Sequence, residues 1–140
     1  MVTPYALLIL KRCDSILLLK RSAQASFGAG NFCLVGGKAE EGESMKQAII
    51  REAYEEIGIT ITPEQLTFAH VFHRKSETGQ LVATCFVCTE WSGEVINKEP
   101  SKHDFFAWTN INDLPEPILP AHKAAVKAYA QGNYYLEHGW

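Results

Sequence analysis

The feature that most constrains the fold is one short segment that predicts a strand, a loop and a helix in succession. Phe32–Val35 is an apolar run typical of a buried strand, and Gly36-Gly37 is expected to end it. An acidic loop follows, and Ser44 then provides a hydroxyl of the kind that caps a helix N-terminus. Gly58 has the place of a glycine just past a helix C-terminus. The segment therefore predicts a buried strand beside a helix that runs to residue 57.

This helix carries an apolar stripe and an acidic stripe side by side. With 100° per residue and Ile49 as the origin, Glu56, Glu52 and Glu55 fall at about −20°, −60° and −120°. Like charges three and four residues apart destabilise a helix, and anions are unfavourable near its C-terminus. A cation is therefore expected to neutralise the acidic stripe, and clustered carboxylates suit Mg²⁺ or Mn²⁺. The small Ala48 lies within this stripe and is expected to leave room for an approaching group.

The excess negative charge of the whole chain lies in the same segment. The chain has 13 basic and 16 acidic residues, a formal charge of −3. Residues 38–58 contain six acids and three bases, so the remainder of the chain is neutral. This balance argues against a nucleic-acid polymer or a membrane surface as partner. A small anionic molecule that binds together with metal ions is compatible with it.

The rest of the sequence alternates strand signals with one further helix. Residues 121–130 are rich in Ala and Lys and predict that helix, whereas the aromatic tail 134–140 gives no clear assignment. No repeat or low-complexity linker interrupts the chain, so one domain over residues 1–140 is expected. The mixed order of elements predicts an α/β fold with a mixed sheet. Predicted strands cover residues 5–10, 16–20, 66–74, 81–91 and 104–109, with a loop over residues 22–31.

Nine residues stand at fixed spacing across the segment, and the seven Gly, Glu and Arg residues among them would be expected by chance on the order of 10⁻⁹ per starting position. The pattern is Gly37-x5-Glu43-x7-Arg51-Glu52-Ala53-x-Glu55-Glu56-x-Gly58-Ile59. It resembles the signature of the Nudix (MutT-like) hydrolases, over residues 37–59. The resemblance implies a Nudix-type α/β/α sandwich around a mixed β-sheet. Many members have Pro before the paired glycines, where this chain has Val35, a difference that concerns the loop rather than the ligands.

The resemblance also implies roles for residues of the signature. The three helix glutamates would bind Mg²⁺ or Mn²⁺, and Glu52 is the leading candidate for the general base, although the choice among the glutamates stays open. Arg51 would pair with Glu43 and hold the helix and the loop in register. The residues implicated in catalysis or metal binding are Glu43, Arg51, Glu52, Glu55, Glu56 and the carbonyl group of Gly36.

Candidates outside the signature come from position and chemistry. Glu99 lies in a loop where some members supply a further metal ligand or base; a plain loop acid is the alternative, and Asp104 is a rival. Arg21 resembles a position from which related enzymes reach substrate phosphate. Phe27 and Asn31 are candidates for a base pocket, because aromatic rings stack on bases and an amide can bind a base edge.

The implied activity is hydrolysis of a nucleoside diphosphate linked to a group X. The small chain favours a nucleoside triphosphate, modified or not, as substrate, with monophosphate and pyrophosphate as products. A Pro or Tyr about sixteen residues past the signature is typical of the ADP-ribose and diadenosine-polyphosphate branches, and residues 73–77 contain neither. The alternatives are ADP-ribose, a nucleotide sugar or a dinucleotide as substrate, a non-catalytic nucleotide-binding module, or a structural domain with an acidic surface helix.

Cysteine usage predicts a reducing compartment. Of the four cysteines, three lie in apolar runs, and Cys85 and Cys88 would face opposite sides of one strand, unlike half of a zinc site. No signal peptide or transmembrane span is recognised, so a cytoplasmic location is expected. His122 has no partner apparent in the sequence and is interpreted as structural. The oligomeric state stays open, a homodimer included.

Overall fold

The computed structural model describes residues 1–140, and its strands form one mixed eight-stranded sheet. Two α-helices and a short 3₁₀ turn, Pro63–Gln65, complete the secondary structure. The strands are β1 Val2–Arg12, β2 Ser15–Arg21, β3 Phe32–Cys33, β4 Val35–Lys38, β5 Thr67–Ser76, β6 Gly79–Cys88, β7 His103–Asn110 and β8 Tyr135–His138. The helices are α1 Met45–Ile57 and α2 Pro120–Ala130.

Strand β1 lies at the centre of the sheet and is buried on both faces. It runs parallel to β6 and antiparallel to β4 and β2. Residues 6–10 form an unbroken apolar run with at most 3 % exposure, as is typical of strands covered on both sides. Alternate side chains of this run enter two different cores, with Leu8 in one and Leu7 in the other.

The two helices cover opposite faces of this sheet. Ile49, Ala53 and Ile57 of α1 belong to the first core, and Ala125 and Val126 of α2 belong to the second. The α/β/α sandwich implied by the sequence is therefore confirmed. Neither helix is long and apolar enough to cross a membrane.

The expected end of a strand at Gly36-Gly37 is wrong. The predicted strand over residues 32–35 divides into β3, which pairs with β2, and β4, which continues through both glycines and pairs with β1. The reason is space, because a Cβ at Gly36 would lie 2.7 Å from the carbonyl oxygen of Ala6. Glycine at this position allows β4 to lie beside β1, so the pair continues the strand.

The aromatic tail, which the sequence left unassigned, supplies the edge strand β8. It runs parallel to β5, with Val71 opposite Tyr135 and Arg74 opposite His138. The predicted strands over residues 66–74 and 81–91 are present as β5 and β6, but the turn between them is shorter than expected. Cys85 and Cys88 are buried in different cores, as predicted.

Candidate active site

Helix α1 has well-defined ends, and these fix the register of its glutamates. The Ser44 hydroxyl accepts a hydrogen bond from the Gln47 N–H (3.1 Å), and the Gln47 side chain accepts one from the Ser44 N–H (2.8 Å). Such a capping box satisfies two backbone donors at the helix start. At the other end Gly58 has a φ of 72° and donates its N–H to the Tyr54 carbonyl oxygen. The helix thus holds Glu52, Glu55 and Glu56 as i, i+3 and i+4 neighbours.

Strand β4 approaches α1 so closely that a side chain at residue 37 would displace Glu52. A Cβ on Gly37 would overlap the Glu52 carboxylate. Neither Gly36 nor Gly37 has a positive φ, so the requirement for glycine here is steric. The room expected at Ala48 is also absent, because that residue is fully buried in the core.

Arg51 binds Glu43 through two parallel hydrogen bonds. Its Nε lies 2.7 Å from Glu43 Oε2, and its Nη2 lies 2.9 Å from Glu43 Oε1. The same nitrogen Nη2 donates to the Lys38 carbonyl oxygen (3.1 Å). The guanidinium and the Glu40 N–H lower the pKa of Glu43 to about 2. Arg51 therefore ties helix α1 to the acidic loop through Glu43, and it also ties the helix to strand β4 through Lys38.

Arg51 also lies beside two of the helix glutamates. Its Nη1 is 3.0 Å from Glu52 Oε1 and 3.3 Å from Glu55 Oε2. Burial is the largest influence on Glu52 and raises its pKa, although Arg51 opposes the shift. The single guanidinium faces several carboxylates, so the acidic stripe keeps an excess of negative charge.

Glu56 is the most buried acid of the helix and has a carboxylate oxygen without a partner. The residue is 8 % exposed, and its Oε2 is fully buried with no hydrogen bond. Burial, followed by the charges of Glu52 and Glu99, raises its pKa well above 4.5. An unpartnered buried carboxylate is costly, so this atom requires a proton or a cation.

The loop before β7 is bound to the end of α1 and carries Glu99 into the site. The Ile96 and Lys98 N–H groups donate to the carbonyl oxygens of Ile57 and Glu56, at 3.0 and 3.1 Å. These contacts satisfy carbonyl groups that a helix C-terminus otherwise leaves free. Glu99 then lies near Glu56, whereas its rival Asp104 is exposed and lines no cavity near the glutamates.

His103, which the sequence analysis did not select, completes this cluster. One side-chain ligand atom from each of Glu56, Glu99 and His103 lies within 4.8 Å of the other two. The imidazole is buried, and burial lowers its pKa. The only sequence signal was a histidine four residues after Glu99, at the boundary between a loop and a predicted strand. Such a position gives no direction for the side chain.

The glutamates line a polar cavity of about 640 Å³, here named the carboxylate cavity. Arg21 and Lys102 bring positive charge to its wall, and Lys102 Nζ lies 3.2 Å from Glu99 Oε2. Arg21 pairs with His103 across β2 and β7 at a bulge, and its Nε donates to the Phe27 carbonyl oxygen. The main lining residues are Arg21, Gly36, Arg51, Glu52, Glu55, Glu56, Glu99, Lys102 and His103.

A second, more apolar cavity of about 580 Å³, here named the apolar cleft, shares two chain segments with the first. Ser26 lines the carboxylate cavity and Phe27 the apolar cleft, and Gly36 and Lys38 are divided in the same way. Phe27 is 53 % exposed. By contrast, Asn31 lines neither cavity, and its amide donates to the Ala29 carbonyl oxygen within its own loop at 3.4 Å.

His122, which the sequence analysis interpreted as structural, has a backbone partner in the fold. It lines the apolar cleft, and its Nδ1 accepts a hydrogen bond from the Leu34 N–H at 2.9 Å. A backbone N–H can only donate, so the ring proton lies on Nε2. Burial lowers the pKa of His122 to about 4, and the charges of Arg74 and Arg21 act in the same direction. The neutral ring therefore keeps one N–H donor for the cleft.

The donor set of the carboxylate cavity fits a divalent cation. Glu56 supplies a buried oxygen without a partner, and Glu52 and Glu99 add carboxylates whose charges raise the pKa of Glu56. Oxygen-rich sites of this kind suit Mg²⁺ and Mn²⁺. Two positive charges would offset a cluster that Arg51 and Lys102 neutralise only in part.

Comparison with known proteins identifies the family. The model of the NUDIX domain matches residues 1–131. The chain belongs to the Nudix family. A solved relative, a MutT Nudix hydrolase from Burkholderia pseudomallei, has a TM-score of 0.82 and 29% identity, with 91% of this chain and 98% of that chain covered. The fold of that relative matches the mixed sheet between two helices described above.

Curated Nudix relatives are enzymes that differ in substrate. The 8-oxo-dGTP diphosphatase of Proteus vulgaris is 34% identical over 64% of this chain and 80% of its own length. The CTP pyrophosphohydrolase of Escherichia coli is 28% identical over 86% of each chain. Other relatives are an ADP-ribose pyrophosphatase and an NAD-capped RNA hydrolase. These names support a diphosphatase or pyrophosphohydrolase, and they leave the nucleotide to be determined.

Proposed function

We propose that this Nudix hydrolase converts a nucleoside triphosphate, modified or not, to the monophosphate and pyrophosphate with the help of Mg²⁺ or Mn²⁺. The observation that carries the proposal is the buried Glu56 carboxylate, whose Oε2 has no partner and which faces Glu99 in a cavity rich in acids. A site arranged only for stability would avoid such a group. A site that binds cations and phosphate needs it.

The residues that would hold the metal are Glu52, Glu55, Glu56 and Glu99, together with the carbonyl group of Gly36. When bound, a divalent cation stabilises charge on the phosphoryl oxygens and makes a coordinated water more acidic. Glu55 is half exposed and held only by Arg51, so its side chain is free to turn toward an ion.

Glu52 is the proposed general base. Burial raises the pKa of its carboxyl group toward the range in which a carboxylate accepts a proton efficiently. In the reaction, the oxygen of water forms a bond to phosphorus while the bond from phosphorus to the pyrophosphate oxygen breaks. The proton of water passes to the Glu52 carboxylate, and the leaving pyrophosphate takes the electron pair. Arg21 and Lys102 would offset charge on the phosphate chain.

The nucleoside is proposed to occupy the apolar cleft. Phe27 offers an exposed aromatic face, and the guanidinium carbons of Arg21 and Arg74 each lie 6.0 Å from the centre of its ring. An aromatic ring stacks on any base, so this face supports binding without choosing the base. Because the loop 24–27 lines both cavities, a base in the cleft would direct its phosphates toward the glutamates.

The experiment is a screen of nucleoside triphosphates, oxidised triphosphates, ADP-ribose, nucleotide sugars and dinucleotides with and without Mg²⁺. Products are identified by chromatography, and reaction in ¹⁸O-labelled water locates the attacked phosphorus. We expect monophosphate and pyrophosphate from a triphosphate. Preferred cleavage of ADP-ribose or a dinucleotide would replace the proposed substrate class.

Matched variants separate the catalytic proposal from its alternatives. Glu56→Gln is expected to abolish turnover without unfolding the chain, whereas Glu64→Gln, an exposed acid on the 3₁₀ turn, should behave as wild type. Nucleotide binding without any hydrolysis by the wild type would indicate a binding module. Unchanged turnover in Glu56→Gln would contradict the assignment of this carboxylate.

A further inference from the structure

We infer that His103 joins Glu56 and Glu99 in a nitrogen-containing metal site that selects a divalent transition-metal ion over Mg²⁺. The inference rests on the proposed function, because it concerns the metal that the carboxylate cavity would hold. It adds a ligand outside the signature and changes the expected metal preference.

The first step is that His103 is the one deeply buried histidine whose ring has no partner. It is 1 % exposed, and neither Nδ1 nor Nε2 makes a hydrogen bond. His70, also buried, bonds the Ala125 carbonyl oxygen through Nε2 at 2.9 Å, and His122 accepts from the Leu34 N–H. A buried polar atom without a partner is unfavourable, because its desolvation is not compensated by a hydrogen bond. His70 leaves only Nδ1 without a partner, whereas both ring nitrogens of His103 lack one.

The second step is that the unpartnered ring of His103 faces the Glu56 carboxylate. His103 Nε2 lies 3.9 Å from Glu56 Oε1, too far for a hydrogen bond. The Glu99 carboxylate completes a triangle in which the three ligand atoms lie within 4.8 Å of one another. Ligands about 2.1 Å from one ion lie roughly 3–4 Å apart, so small side-chain movements bring all three to a shared ion.

The third step is that the backbone holds these ligands in place without metal. The Asn97 amide donates to the His103 carbonyl oxygen (2.8 Å), and Asn97 Oδ1 accepts from the Glu99 N–H (3.2 Å). The His103 N–H donates to the Glu99 carbonyl oxygen (3.0 Å). The Lys98 N–H fixes the same loop to Glu56 on α1. Two carboxylates and one imidazole are thus oriented toward each other by separate elements.

The ligand types determine which ion fits. Mg²⁺ prefers oxygen ligands and keeps much of its water, whereas an imidazole nitrogen suits the first-row transition metals. Two ionised carboxylates and one neutral imidazole carry two negative charges, which a divalent cation balances. We therefore expect wild-type protein to bind Mn²⁺ more tightly than Mg²⁺, with a nitrogen of His103 in the ligand set.

The test measures metal binding directly, in the absence of nucleotide. Free Mn²⁺ is followed by electron paramagnetic resonance, with Mg²⁺ as competitor. Spin-echo envelope modulation of the Mn²⁺ complex reports coordinated nitrogen. Protein labelled with ¹⁵N-histidine should lose the ¹⁴N modulation of a directly bound imidazole. Because His103 is the only histidine that lines the carboxylate cavity, this result identifies it without any substitution.

Variants then measure selectivity. His103→Gln should weaken Mn²⁺ binding by at least about tenfold, the lower range for loss of even an outer partner of a metal site, and change Mg²⁺ binding much less. His73→Gln, on strand β5 and outside the carboxylate cavity, should leave both affinities unchanged. If His103→Gln fails to fold, the labelled wild type still decides the question.

Failure of this inference differs from failure of the proposed function. If Mn²⁺ binds and supports hydrolysis but histidine labelling changes no nitrogen modulation, His103 is not a ligand and the inference is overturned alone. If neither Mn²⁺ nor Mg²⁺ binds, both the inference and the metal-dependent function are overturned. Equal loss of Mn²⁺ and Mg²⁺ affinity in His103→Gln would overturn the selectivity.

Discussion

Arg51 joins Glu43 by two nearly parallel hydrogen bonds of 2.7 and 2.9 Å, across eight residues of chain and between a helix and the loop before it. Bidentate pairs of this type are short, directional and about twice as strong as neutral hydrogen bonds. Both side chains are largely buried, with 24% and 16% exposure. The pair therefore fixes the loop while Nη1 of Arg51 stays beside Glu52 and Glu55.

Glu43→Gln should lower the free energy of unfolding by about 1–3 kcal/mol, because it leaves the Arg51 charge without its bidentate acceptor. Turnover should also fall, since Arg51 would no longer be held in place beside Glu52 and Glu55. Chemical denaturation and steady-state kinetics measure the two effects. Glu41→Gln, on the same loop and exposed, is the control and should match wild type. Equal stability of the two variants would contradict the structural role of the pair.

The same pair predicts a specific pH dependence. The pKa of Glu43 is about 2, below its ordinary value of 4.5. The ionised carboxylate therefore stabilises the folded state fully above pH 4.5, and this contribution is lost as the pH falls toward 2. The stability difference between wild type and Glu43→Gln should be constant at neutral pH and shrink across that interval. A difference that persists at pH 2 would show that ionisation of Glu43 is not its source.

Gly37→Ala tests the close approach of β4 to α1. The added methyl group would occupy the space of the Glu52 carboxylate, and that side chain has flexible bonds through which to move. We expect turnover to fall by at least tenfold, which corresponds to a rise of about 1.4 kcal/mol or more in the activation free energy, with a melting temperature close to that of wild type. Gly36→Ala meets the Ala6 backbone instead and should mainly destabilise the fold. Normal turnover in Gly37→Ala would argue against a catalytic position for Glu52.

Much of this arrangement was predictable because it depends on local sequence. The helix is defined by Ser44 and Gly58 at its ends and by apolar spacing between them, and both caps are present. The position of Glu56 at the apolar edge of the wheel already indicated burial, since a helix places residues three and four apart on one face. The pairing of Arg51 with Glu43 came from the family resemblance, which carries information about non-local contacts.

The parts that could not be predicted depend on distant segments. His103 is part of the site only because the loop before it bonds the C-terminal carbonyl groups of α1. His122 has a partner only because α2 packs against the strand region at Leu34. The tail that contains Tyr135 mixes aromatic and polar residues, and no local sequence pattern predicts that it pairs with β5. Gly36-Gly37 was interpreted as the end of a strand because the sequence does not show which atoms of β1 and α1 lie beside these glycines.

Metal removal should reverse the relative stability of wild type and Glu56→Gln. Without metal, the buried Glu56 charge lies near Glu52 and Glu99, so the neutral variant should be more stable by on the order of 1 kcal/mol. Metal at a hundredfold excess over its dissociation constant should stabilise wild type by about 2.7 kcal/mol. The variant should gain much less. Thermal unfolding in EDTA and in Mn²⁺ measures both, and the same order of stability in the two conditions would contradict a metal site at Glu56.

His122 gives the last prediction, which joins pH dependence to substrate binding. Its pKa of about 4 lies below the ordinary 6.5, so the unfolded chain binds more protons between these values and the folded state loses stability as the pH falls through that interval. The loss reaches as much as about 3 kcal/mol.

His122→Gln should be free of this loss, so its stability should decline less than that of wild type between pH 6.5 and 4, as measured by denaturation at several pH values. The variant also changes the N–H donor that faces the apolar cleft, and we expect KM for the nucleotide to rise severalfold with kcat nearly unchanged. Lys127→Gln, exposed on the same helix, should alter neither property. A change in kcat alone would place His122 in the chemistry of the carboxylate cavity, and an unchanged KM would exclude the cleft around it as the nucleoside site.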